Sequence, residues 1–73
     1  MPFSSLSDPA DLARAYAALE AVWNEVKETI PEQQHEREWT RIAYLIAGLA
    51  PLALDEEDLV QNALMHYRQS AAA

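Results

Sequence analysis

The sequence predicts an all-α fold, a small three-helix domain built as a helical hairpin plus a third helix, and three observations carry that expectation. Apolar residues recur every three or four positions through three segments, and no stretch alternates with the period of two that a strand requires. Pro9, Pro31 and Pro51 stand where helices can begin or must stop, while Gly48 is the only glycine. At 73 residues the chain has room for one core.

A leader over residues 1–7 precedes helix 1, which is expected over 9–29. Asp8 is placed to accept from free backbone N–H groups at the helix start, and Pro9 suits the first helical position. Leu12, Tyr16, Leu19, Trp23, Val26 and Ile30 are spaced alternately four and three, a heptad-like seam with Ala15 and Val22 on its flank. The seam predicts core positions for Tyr16 and Trp23.

Pro31 lacks a backbone N–H and pushes Ile30 out of the α region, so a tight corner is expected at residues 29–31. Thr29 and Glu32 have the spacing of a capping box. Helix 2, expected over 31–49, begins with polar turns in which Trp39 and His35 mark the apolar side, Trp39 in the core and His35 at its edge. From Ile42 to Ala50 the only polar side-chain atom is the Tyr44 hydroxyl, and a helix apolar all round is expected to be covered all round. The uncharged run Ile42 to Leu54 is shorter than the roughly 20 residues of a membrane span and is interrupted by Pro51, so it reads as buried core.

Leu54-Asp55-Glu56-Glu57-Asp58-Leu59 is the clearest helix start in the chain. Asp55 is placed to cap, Asp58 stands three residues on, and Leu54 and Leu59 have the spacing of a hydrophobic staple. Helix 3 is expected over 56–69, burying Leu59, Val60, Ala63, Leu64 and Tyr67, with a frayed tail over 70–73.

Composition excludes several chemistries. Without cysteine there is no disulfide framework, thiolate zinc site or thiol redox chemistry, and residues 1–7 do not resemble a signal peptide, so a cytoplasmic protein is expected. Twelve acidic residues against five basic ones give a net charge of -7, and the basic residues Arg14, Lys27, Arg37, Arg41 and Arg68 are scattered. Phosphate binding draws on clustered cations, so nucleic acid and anionic membrane are not expected partners.

Glu32-Gln33-Gln34-His35 has the Glu-x-x-His spacing that places a carboxylate and an imidazole on one helical face for a metal. A metal needs further ligands, and the inward faces of helices 1 and 3 offer no carboxylate. A zinc-protease helix is excluded because Trp39 stands where the second histidine would be. The Asp55 to Asp58 run lacks the alternating ligands and central glycine of a calcium loop. No cofactor and no catalytic residue is expected.

The reading that follows is a non-enzymatic protein-interaction or structural module, with the chain itself as partner in a homodimer. Helices 1 and 3 can cover two sides of helix 2, leaving Tyr44, Ala47 and Gly48 for a further cover. Gly48 is expected to stay helical and admit close approach of another helix rather than end helix 2 early. Two alternatives stand beside this reading. One is a metal-binding bundle pooling Glu32 and His35 from several chains, and the other is a small subunit of a larger complex in which a different protein covers helix 2.

Overall fold

The computed structural model of the chain describes residues 8–72. The leader expected over residues 1–7 and the last residue of the tail lie outside them.

The chain is all-α, with three helices: α1 over Pro9–Val26, α2 over His35–Leu49 and α3 over Glu56–Ala72. Single 3-10 turns at Lys27–Thr29, Glu32–Gln34 and Ala50–Leu52 fill the connections. Each helix packs against the other two. No helix among the described residues is long and apolar enough to cross a membrane.

Local chemistry sets the ends of the helices. The Asp8 carboxylate accepts from the Ala10 N–H at 2.8 Å and Pro9 opens α1, as the sequence predicts. At the first corner Ile30 and Pro31 are both extended, with ψ of 128° and 140°, because the proline ring excludes the α region for its predecessor. The capping-box spacing of Thr29 and Glu32 is not used: the Thr29 hydroxyl donates back to the Val26 carbonyl at 2.7 Å. His35 closes the corner instead. Its Nε2 lies 2.9 Å from the Ile30 carbonyl, and since a carbonyl only accepts, Nε2 carries the proton.

At the start of α3 the Asp55 carboxylate accepts from the Asp58 N–H at 2.8 Å, and the Asp58 carboxylate accepts from the Leu54 N–H at 3.0 Å. This reciprocal pair satisfies two backbone donors at once. The Leu54–Leu59 staple is absent, since Leu59 is fully buried while Leu54 is 87% exposed. The reciprocal carboxylates fix the entry of the chain and leave Leu54 pointing outward. The helix continues to Ala72, past the expected end at Gln69.

Thirteen buried apolar side chains form the core among the described residues, and five of them are alanines: Ala15, Ala18, Ala43, Ala50 and Ala63. The largest fully buried ones are Val22, Ile42, Ile46 and Leu59, each stabilising by roughly 1.5–3 kcal/mol. The alanines correct the expected seam of α1. Ala15, Ala18, Leu19, Val22 and Val26 occupy its centre, Leu12, Trp23 and Ile30 lie at its margin, and Tyr16 is half exposed. Small residues let neighbouring helices come close, and the gap left between them is too narrow for aromatic rings. The rings move to the rim, and Trp39 does the same on α2, where it is 39% exposed.

A second correction concerns Leu52 and Leu54 in the run Ile42 to Leu54, which was expected to be buried core apart from the side of Tyr44, Ala47 and Gly48, left for a further cover. Ile42, Ala43, Ile46 and Ala50 are buried, but Tyr44, Gly48, Leu52 and Leu54 are exposed. Two neighbouring helices cover only part of the circumference of a third.

Candidate functional site

Three features stand out once the core is accounted for: a buried polar pair between α2 and α3, the outer face of α2, and an aromatic groove between α1 and α2.

The polar pair joins Glu38 to Tyr67. Glu38 is a buried charged residue whose carboxylate accepts from the Tyr67 hydroxyl at 2.8 Å. Arg41 Nη1 lies 3.3 Å from one carboxylate oxygen and Arg37 Nε lies 3.4 Å from the other. Arg41 also stands over the Tyr67 ring, 5.6 Å from its centroid, and bonds to the Ser70 hydroxyl. The Tyr67 hydroxyl bond, with Arg41 and Arg37, holds the Glu38 carboxyl below its ordinary range despite the opposing effect of burial. Burial and the adjacent Glu38 carboxylate push the Tyr67 phenol up to about 12. Near neutral pH the carboxylate is therefore ionised and the phenol protonated, so the pair acts as a lock between α2 and α3. Sequence reasoning placed Tyr67 in the core but left Glu38 among the polar residues of the first turns of helix 2, off its apolar side. The available signal was position: Glu38 precedes Ile42 by four residues and Ile46 by eight, on the stripe that faces the core.

The outer face of α2 carries Thr40, Tyr44, Ala47 and Gly48, with Arg37 and Arg41 two turns before Tyr44 and Gly48, and Pro51 follows in the 3-10 turn after the helix. Tyr44 is 57% exposed, Gly48 is exposed and Ala47 is half-buried. Gly48 stays within α2 with no positive φ, and a Cβ built on it meets nothing within 4 Å. The helix does not end early at this glycine, and no neighbour within the described chain requires it.

Glu32 and His35 fall on different elements, Glu32 in an exposed 3-10 turn and His35 as the first residue of α2. The His35 ring is held on two sides, by the Ile30 carbonyl at Nε2 and by Trp23, whose ring meets it edge-on at 5.0 Å between centroids. Among the described residues no group of three or more His, Cys, Asp or Glu side chains could hold a metal ion.

The aromatic groove was not foreseen. Tyr16, Leu19, Glu20 and Trp23 of α1 line it with Trp39 of α2, around a volume of about 260 Å³. A smaller hollow of about 170 Å³ lies between Leu49, Leu52, Ala53, Leu59 and Asn62. Glu38 and Tyr67 line neither, and a shallower hollow of about 420 Å³ over Gln33, Glu36, Arg37 and Thr40 reaches Arg37 of the cluster but not the pair itself.

Comparisons of the chain with protein-family models, curated proteins and solved structures found no match.

Proposed function

We propose that the protein is a non-enzymatic interaction module that pairs with a second copy of itself through the outer face of α2. Gly48 carries the reading. A glycine inside a helix costs roughly 1 kcal/mol relative to alanine, and an alanine would fit here without touching any other part of the described chain. A contact outside the chain gives that cost a reason.

The residues around Gly48 favour a second copy in antiparallel orientation. Tyr44 and Gly48 are one turn apart, about 6 Å along the axis, so a twofold axis between them lays each Tyr44 ring over the other copy's Gly48. The small, alanine-rich core adds a motive, since a second chain supplies apolar burial that a lone chain of this length lacks. A cytoplasmic location, the one expected from the sequence, belongs to the same reading.

Sedimentation and circular dichroism on one sample test the proposal. Wild type is expected to sediment as a dimer at micromolar concentration. Gly48→Leu should become monomeric with its helix content retained. Gly48→Ala should raise the stability of the monomer by up to about 1 kcal/mol while weakening association. A wild-type protein that sediments at 8.2 kDa even at hundreds of micromolar would refute self-association and leave this face to a different protein.

A further inference from the structure

The aromatic groove lies away from the proposed dimer face. Trp39 and Tyr44 are five residues apart on α2, which separates them by about 140° around the helix. Its chemistry also differs. Three aromatic side chains and one carboxylate, Glu20, line it beside the single aliphatic Leu19. Aromatic faces carry the negative side of the ring quadrupole and attract cations, and the net charge of -7 adds a field of the same sign. Tyr16 and Trp39 are 51% and 39% exposed, so their surfaces can be reached from solvent. One wall is fixed in advance, because His35, tied to the Ile30 carbonyl, packs edge-on against Trp23.

We propose that this groove binds an arginine side chain presented by a basic segment of a partner protein. The choice of arginine follows from shape. The groove is open along one side, whereas a rounded methylammonium needs rings on several sides to replace its water. A guanidinium is flat and weakly hydrated, stacks on an indole face, and directs its N–H groups outward in its own plane. Stacked on Trp39 or Trp23, it can donate to the Glu20 carboxylate. The arginines of α1 and α2 are engaged elsewhere: Arg14 pairs with Asp11, and Arg37 and Arg41 pair with Glu38.

The two tryptophans of the chain both line the groove, so indole fluorescence reports on it directly. The experiment titrates the full chain with a glycine-serine peptide carrying three arginines, beside matched peptides in which lysine or citrulline replaces arginine. Lysine keeps the charge, and citrulline keeps the planar shape without it. The arginine peptide should give a saturable fluorescence change, with at least about fivefold weaker binding for either comparator. Trp39→Leu, which keeps apolar bulk at a partly exposed position, should weaken the arginine peptide by a similar factor with unchanged circular dichroism. Glu20→Gln should weaken it more than Glu25→Gln, an exposed control on the same helix. Gly48→Leu should bind as wild type does, which separates this site from the dimer face. Equal affinity for the arginine and lysine peptides, wild-type affinity in Trp39→Leu, or no saturable change up to millimolar peptide would each overturn the proposal.

Discussion

Replacing Tyr67 with phenylalanine removes one oxygen atom from the α2–α3 contact and leaves the ring, its packing and its contact with Arg41 in place. The lost hydroxyl is the donor to Glu38, a carboxylate whose side chain is only 11% exposed. A hydrogen bond to a charged group contributes about 1.5–3 kcal/mol. Arg41 and Arg37 remain beside the carboxylate, so the lower part of that range is expected, about 1.5–2 kcal/mol. For a domain of this size that is a fall in Tm of roughly 6–16 °C. The pH dependence is a second readout. The folded chain holds the Glu38 carboxyl below its ordinary value of 4.5, so it binds that proton less readily than the unfolded chain. The stabilisation is therefore complete above pH 4.5 and drains away as the pH falls through the folded value. On the alkaline side Tyr67 is raised from 10.0 to about 12, so its contribution is complete below pH 10.0 and is lost as the pH rises toward 12. Tyr67→Phe should flatten the acid slope and abolish the alkaline one, and Glu38→Gln should remove the acid slope while keeping an acceptor for the phenol. Thermal melts followed by circular dichroism between pH 3 and pH 7 test the acid limb. If Tyr67→Phe melts with wild type at neutral pH and shows the same acid slope, the hydroxyl does not stabilise the Glu38 carboxylate and the lock is refuted.

The remaining expectations concern helix ends and the first corner. Asp55→Ala should cost about 1 kcal/mol, read as a lower Tm, because the Asp58 N–H loses its acceptor; an unchanged melt would move the start of α3. Leu54→Ser should change stability by no more than about 0.5 kcal/mol, since the side chain is almost fully solvated, and a larger loss would restore the hydrophobic staple. His35→Ala should cost about 1 kcal/mol by removing the donor to the Ile30 carbonyl while leaving sedimentation unchanged; loss of assembly would instead bring His35 into the interface.

The helices, their order, the starts of α1 and α3 and the end of α2 were legible in the sequence, because those features depend on interactions within a few residues. Asp8 and Asp55 cap the backbone of their own first turns, and Pro31 acts on the residue beside it. The spacing of Ile42, Ile46, Leu59 and Ala63 likewise marked the faces that became buried. The rotation of α1 about its axis was decided by the tertiary structure alone. For α1 the periodic pattern admits a seam through Tyr16 and Trp23 or one through Ala15, Ala18 and Val22, since the two lie on adjoining strips of one surface. Only the close approach of neighbouring helices, which alanines permit and rings prevent, selects the second. That choice moved the aromatic rings to the rim and so created the groove with Glu20. The burial of Glu38 has the same origin, because a carboxylate enters a core only where a partner from another helix meets it. Tyr67, 29 positions away in the sequence, is a partner that no local pattern announces.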